Sequence, residues 1–139
     1  MNREQAEKEA ALQRLTARKK LIGMLGLCIK AGKTIVGAEL VCNAVRAASP
    51  GKTPHTVFLA SDTGANTKKR VSNCCRYYEV PCRTLQLNAA ALGEALGKTG
   101  YITALGITDR GMAEAIVARD EALGQTSPQT EARRMSDHL

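Results

Sequence analysis

KAGKTIVGAELVCNAVR, residues 30–46, joins two predicted helices through a short extended segment. Gly32 follows apolar residues at helical spacing over residues 21–29, so it is a typical C-terminal stop for the first helix. Residues 34–36, Thr-Ile-Val, suit an extended conformation, and Gly37 precedes the apolar stripe of a second helix. The stretch therefore predicts a helix–strand–helix unit with a glycine at the start of its second helix.

Helical and strand patterns continue to alternate after this unit. The predicted strands are the apolar run at residues 56–60, residues 82–86 after the break at Pro81, and residues 101–107. The predicted helices start at Asn66, with Val71, Cys74, Cys75 and Tyr78 on the buried side, at Asn88 before residues 89–96, and at Asp109. Strands that alternate with helices predict a layered α/β domain.

The length of 139 residues fits one domain with terminal extensions. We expect residues 1–15 to form a charged arm of helix-forming composition, residues 16–122 to form the domain, and residues 123–139 to form a disordered tail. No apolar run reaches the roughly 20 residues that a bilayer-spanning helix needs, and the first residues lack a secretory signal pattern. These features predict a cytoplasmic protein without a membrane partner.

The five cysteines are odd in number and mostly occupy apolar positions. Cys74, Cys75 and Cys82 lie close together in sequence, but the absence of a Cys-x-x-Cys pair favours buried thiols over a zinc site. Reduced thiols agree with a reducing compartment. We therefore expect no metal and no cofactor.

Positive charge is concentrated in the middle of the chain. Ten basic and four acidic side chains lie between residues 28 and 101, so that stretch holds six of the seven net positive charges. Clustered positive charge attracts a polyanion, and RNA is the partner that it favours here. The alternative interpretation is a solvated charged face without a ligand.

The polar residues around Gly37 form the first candidate site. A helix N-terminus carries unpaired N–H groups and a partial positive charge, both of which suit a phosphate backbone. The candidate RNA-binding residues in this segment are Lys33, Gly37, Glu39, Asn43 and Arg46. The last three recur at helical spacing, so we expect them to face outward together.

Two other motifs match known sites less well. GLCIKAGKT, residues 26–34, is similar to a nucleotide-binding phosphate loop, but five residues separate its glycines where that motif has four. Ser61 and Asp62, with His55 nearby, are the only nucleophile set, and no strained elbow pattern surrounds the serine. We expect a noncatalytic protein.

Six segments between residues 21 and 118 read MLGL, AGKTIVGAELV, FLASD, NTKKRVSNCCRYYEVP, LGEALGK and ITDRGMAEAI. In this order they resemble the ribosomal L7Ae family, and its bacterial YlxQ-like branch in particular. The resemblance implies a three-layer α/β/α sandwich with a small mixed sheet of about four strands. It also implies noncatalytic binding of kink-turn or related structured RNA, in the ribosome, its assembly or RNA processing.

The resemblance extends to the recognition turn, with substitutions. Lys33 and Gly37 match the family's basic residue and glycine, whereas Glu39 and Leu40 stand where the family has a polar pair. Asn43 stands where a lysine is usual. Because asparagine supplies no positive charge, we expect lower affinity for a standard kink-turn.

The family's second RNA contact, a loop before the last strand, corresponds to residues 97–102. The resemblance therefore implies Lys98 and Tyr101 as further RNA-binding residues. The expected partner is structured RNA, ribosomal in origin, and not DNA, with ribosomal or assembly proteins as further partners. The alternative function is a protein-interaction module of the same fold with weak or nonspecific RNA binding. An RNA-modifying enzyme is disfavoured, because similar folds serve there only as recognition domains.

Overall fold

Helices and strands alternate along residues 2–126, which are the residues that the computed structural model describes. They are α1 (Arg3–Lys30), β1 (Thr34–Val36), α2 (Ala38–Ala47), β2 (Thr56–Leu59), α3 (Ala65–Tyr77), β3 (Cys82–Thr84), α4 (Ala89–Ala95), β4 (Ala104–Ile107) and α5 (Arg110–Gln125). The helix–strand–helix unit predicted from residues 30–46 is therefore present as the end of α1, β1 and α2.

The four strands form one mixed sheet in the order β1-β4-β2-β3. Strand β4 is antiparallel to both β1 and β2, whereas β3 is parallel to β2. Strands β1, β2 and β3 consequently run in one direction, and β4 runs in the opposite direction.

The sheet separates two apolar clusters, because strand side chains alternate between its faces. Phe58 and Leu105 belong to the cluster that contains residues of α1, α4 and α5. Val57, Leu59 and Ala104 belong to the cluster that contains residues of α2 and α3. The expected three-layer α/β/α sandwich with a small mixed sheet is confirmed.

Two helix starts agree with the sequence pattern and one does not. The side chains of Asn88 and Asp109 accept hydrogen bonds from Ala91 N and Met112 N, each at 2.8 Å, as predicted for caps of α4 and α5. Helix α3, however, begins at Ala65 after Gly64, so the expected cap, Asn66, lies inside the helix.

The predicted bounds also differ at other places, including β3, which ends at Thr84 rather than at Gln86. Tyr78 was expected on the buried side of α3, but it follows the last helical residue and is 41% exposed. Strand β4 begins at Ala104 rather than at Tyr101. Helix α5 continues to Gln125 and buries Leu123, so the folded part extends past residue 122. The rest of the predicted tail, residues 127–139, lies outside the described residues.

A buried carboxylate joins the edge strand β3 to α5. Arg83 Nε donates to Asp120 Oδ2 at 2.9 Å, and Gln86 N donates to Asp120 Oδ1 at 2.8 Å. Asp120 is completely buried, whereas the Arg83 side chain is 33% exposed. Arg83 therefore points to the α5 side of the sheet and serves the fold.

Candidate nucleic-acid interface

The sheet directions bring three helix starts to one end of the molecule. Strands β1, β2 and β3 run in parallel, and α2, α3 and α4 each begin just beyond their carboxyl ends. The antiparallel β4 begins at that same end, where Gly37 N donates to Ala104 O at 2.9 Å and Ala60 N donates to Thr103 O at 2.9 Å. We call this region the loop end of the sheet; it comprises residues 37–43, 60–70, 87–90 and 97–103.

The helices that begin at the loop end differ in their capping. Helices α2 and α3 follow Gly37 and Gly64, neither of which supplies a side-chain hydrogen bond. Helices α1, α4 and α5 all begin with a side-chain cap, from Asn2, Asn88 and Asp109. Neither capping residue therefore supplies an acceptor to the first-turn N–H groups of α2 and α3, and each start carries the partial positive charge of its helix dipole.

Gly37 has a backbone conformation that other residues rarely adopt, with φ of 104° and ψ of 142°. Its N–H is bonded to Ala104 and its carbonyl accepts from Val41 N at 2.9 Å. A side chain at this position would have open space but a strained backbone. Gly37 thus turns the chain from β1 directly into α2.

Three predicted site residues form one exposed stripe along α2. Glu39, Asn43 and Arg46 are all exposed and are spaced as i, i+4 and i+7. Because a helix rises 1.5 Å per residue, Arg46 lies roughly 10 Å farther from the loop end than Glu39. Only the first part of the stripe is at the loop end.

Lys33 lies at the opposite end of β1 from Gly37, about 13 Å away along the strand. Its N–H donates to Cys28 O at 3.1 Å, and its carbonyl accepts from Thr108 N at 3.0 Å, so its backbone is fixed between α1 and the end of β4. The structure therefore brings together Gly37 and Glu39 but places Lys33 with the far end of α2.

Lys98 and Tyr101 lie in the segment before β4, at the loop end. Lys98 N donates to Gly93 O at 2.9 Å and Ile102 N donates to Ala89 O at 3.1 Å, so α4 holds the backbone of this segment. The side chains of Lys98 and Tyr101 line a shallow depression together with Glu94, and Tyr101 is 77% exposed. A cation and an exposed aromatic ring thus stand on a positioned loop.

The structure adds basic residues that were not among the predicted site residues. Lys68, Lys69 and Arg70 are exposed in the first two turns of α3, which begins at the loop end. The sequence signal for a binding role is that three cations lie near the start of a helix, where the helix dipole disfavours positive charge. Their place beside the start of α2 follows only from the parallel direction of β1 and β2.

An apolar groove runs along the edge strand β1. It has a volume of about 520 Å³ and is lined by residues of β1, by the turn after α2 and by Leu40 on α2. Leu40 is 60% exposed, although it stands where the family has a polar residue. The groove gives α2 an apolar flank.

The structure does not bring His55 close to Ser61 and Asp62, as a nucleophilic site would require. His55 precedes β2 and Ser61 follows it, so the two are separated by roughly 20 Å along the strand direction. The Asp62 carboxylate accepts from Ala89 N at 2.8 Å and thereby ties the loop after β2 to α4.

Four cysteines are buried, as predicted for reduced thiols, whereas Cys82 is exposed. In residues 2–126, no three His, Cys, Asp or Glu side chains are placed to share a metal ion. None of the helices in this part of the chain is both long enough and apolar enough to span a membrane.

The fold and the loop end define a small α/β/α protein in which helix starts and basic side chains share one end of a mixed sheet. Residues 19–117 match the model of the ribosomal protein L7Ae/L30e/S12e/Gadd45 family, and the chain belongs to this family. The family inferred from the six sequence segments is thereby confirmed.

Two curated relatives support the YlxQ-like branch. The RNA-binding protein YlxQ of Enterococcus faecium is 37% identical over 97 residues, which cover 70% of this chain and 87% of that protein. The RNA-binding protein YlxQ of Bacillus subtilis (strain 168) is 33% identical over 95 residues, which cover 68% of this chain and 89% of that protein.

A solved structure shares the fold. A protein of unknown function from Bacillus halodurans C aligns with a TM-score of 0.65 and 30% identity, over 73% of this chain and 97% of that chain. The aligned part thus amounts to nearly the whole of that protein.

Proposed function

We propose that the protein is a noncatalytic RNA-binding protein that contacts structured RNA with the loop end of the sheet. The observation that carries the proposal is that α2 and α3 both begin there on a glycine without a side-chain cap, beside exposed cations. Uncapped helix starts supply N–H donors to phosphates, and the lysines and arginine supply charge. Two relatives that carry the name RNA-binding protein support it.

The proposed surface has a centre and two extensions. Gly37, Glu39 and the start of α3 form the centre, where backbone N–H groups contact phosphate and polar side chains contact base edges. Asn43, Arg46 and Lys33 extend it along α2 and β1. Lys98 and Tyr101 extend it on the other side by charge and by stacking. We place this function in the cytoplasm, in the ribosome or its assembly.

Kink-turn RNA is the proposed ligand class, and its binding can be measured directly. The protein is titrated against a kink-turn RNA and a plain duplex of equal length across a salt series. Tighter binding of the kink-turn at every salt concentration is the expected result. Equal, weak binding that disappears with added salt would overturn the kink-turn assignment, because it would report only general attraction to phosphate.

Charge-reversal variants test which surface of the protein contacts RNA. Lys98→Glu and Lys33→Glu should each weaken RNA binding and lower the slope of log K against log salt by about one, because each removes a neutralised phosphate. Lys8→Glu is the matched control, since Lys8 is also exposed but lies on α1, outside the residues assigned to the RNA-binding surface. An equal loss in the control would contradict the assigned surface.

A protein-interaction module is the second candidate, favoured by the exposed Leu40 beside the apolar groove. Asn43→Lys discriminates between the two functions, because it restores the lysine that the family usually has. If α2 reads RNA, the variant should bind the kink-turn RNA more tightly while its duplex affinity rises less. If neither the unmodified protein nor Asn43→Lys binds RNA selectively, the protein-interaction module becomes the better interpretation.

A further inference from the structure

Strand alternation places Cys82 on the α3 side of the sheet. Arg83, the next residue, points to the opposite side, where it pairs with Asp120 of α5. Because successive strand side chains point to opposite faces, Cys82 faces α3. Its exposure results from its position on the edge strand β3.

Three α3 side chains meet Cys82 on that face. Cys82 is opposite Val57 in the sheet, and Val57 and Cys75 belong to the same apolar cluster. The side chains of Cys75, Ser72 and Lys68 lie near enough to Cys82 to shift its pKa. The spacing of residues 68, 72 and 75 places them on one side of the helix. Cys74 points elsewhere, since its thiol contacts the carbonyl of Cys42 at 3.8 Å.

The two thiols in contact have different accessibility and acidity. Cys75 is only 1% exposed, whereas Cys82 is exposed. The Cys75 hydrogen bond, with further contributions from Ser72 and Lys68, lowers the pKa of Cys82 to about 7 against the effect of burial. The same hydrogen bond and burial raise the pKa of the Cys75 thiol. Cys82 is thus the reactive thiol and Cys75 its protonated neighbour.

We propose that Cys82 and Cys75 are an oxidisable pair that a peroxide converts to an intramolecular disulfide. The Cys82 thiolate attacks hydrogen peroxide, forms a sulfenic acid and releases hydroxide. The Cys75 sulfur then attacks the sulfenic sulfur, and its proton leaves with the displaced oxygen as water. Each disulfide consumes one peroxide, which accepts two electrons from the two sulfurs and leaves as hydroxide and water, and a thiol reductant returns both thiols.

The chain between the two cysteines is already folded back in the reduced protein. Val80 N donates to Cys75 O at 2.8 Å, and Val57 N donates to Pro81 O at 2.8 Å, so both sides of the turn are held. Glu79 adopts a left-handed conformation with φ of 57°, which reverses the chain. The turn therefore brings β3 back beside the end of α3, where Cys75 lies.

Tryptic mapping of the full chain tests the proposal. After treatment with hydrogen peroxide and alkylation of remaining thiols, peptides 71–76 and 77–83 should appear joined, with the mass of two hydrogens lost, and should separate on reduction. Cys82→Ser should abolish this product. Cys75→Ala should leave Cys82 as a sulfenic acid that dimedone traps, and Cys28→Ala, a buried cysteine of α1, should change nothing.

Two outcomes would overturn the assignment. A joined peptide that persists in Cys75→Ala but disappears in Cys74→Ala would show that Cys74, and not Cys75, is the partner of Cys82. Joining of Cys82 to the Cys82 of a second molecule would show that the buried thiol is not the partner. Cys82→Ser alters an exposed residue, so the test does not depend on a core variant that fails to fold.

Discussion

Positions 37 and 93 both require glycine, for different physical reasons. Gly37 has a positive φ that side chains disfavour, whereas Gly93 has no room for a side chain. A Cβ at residue 93 would collide with the carbonyl oxygen of Gly100, in the segment that carries Lys98 and Tyr101. The close approach of α4 to this segment therefore sets the position of two proposed RNA contacts.

Gly93→Ala should destabilise the protein by about 1–3 kcal/mol, because overpacking a tight contact costs more than the helix propensity that alanine gains, about 1 kcal/mol. Urea denaturation measures the change. Gly23→Ala is the matched control, a helical glycine with nothing within 4 Å of the added Cβ, and should be neutral or stabilising. Equal stability of the two variants would mean that α4 and the segment are not in contact.

At the scale of elements, the buried Asp120 links β3 and Gln86 to α5. Asp120→Ala leaves Gln86 N without its acceptor and Arg83 without its buried partner, so we expect a loss of about 2–4 kcal/mol in the free energy of unfolding. Asp120→Asn should lose less, since an amide oxygen can still accept from Gln86 N. Glu121→Ala, which removes the exposed partner of Arg83 at 3.6 Å, should change stability by less than about 0.5 kcal/mol. A comparable loss in Glu121→Ala would contradict a role specific to the buried carboxylate.

Some element bounds could be predicted because their causes are local. Asn88 and Asp109 cap helices through bonds to residues three positions later, and such patterns are visible in sequence. The bound at Tyr78 was wrong because the helical pattern was extended to Tyr78, which is the C-cap immediately before the turn at Glu79. The bound at Tyr101 failed because pairing with β2 reaches only Ala104, opposite Leu59, and strand partners cannot be read from one segment.

At the scale of the whole molecule, strand order determines which candidate residues meet. The sequence predicted alternation and the glycine turn, but the grouping of α2 and α3 starts depends on the direction of β1 relative to β2. The Arg83–Asp120 pair joins residues 37 positions apart, so its internal role could not be anticipated from a count of basic residues. Long-range pairing is thus the part that the sequence pattern leaves undetermined.

The N-terminal half of α1 gives the last prediction. Residues 3–9 are exposed, and residues 3–11 contain two basic and three acidic side chains, whereas Arg14 Nη2 donates to Thr126 O at 3.1 Å at the end of α5. Deletion of residues 3–11, which keeps Asn2 as a cap, should therefore change the free energy of unfolding by less than about 1 kcal/mol.

The same deletion should leave RNA affinity unchanged or slightly higher, since the removed segment carries a small excess of acidic groups. Arg14→Ala, in the full chain, is the comparison for stability, because it removes the contact with α5 and keeps the arm. Thermal unfolding measures the stability of both variants, and RNA titration measures their RNA affinity. A tenfold or greater loss of RNA affinity in the deletion would place an RNA contact in the arm, and the proposed surface would then have to extend from the loop end along α1.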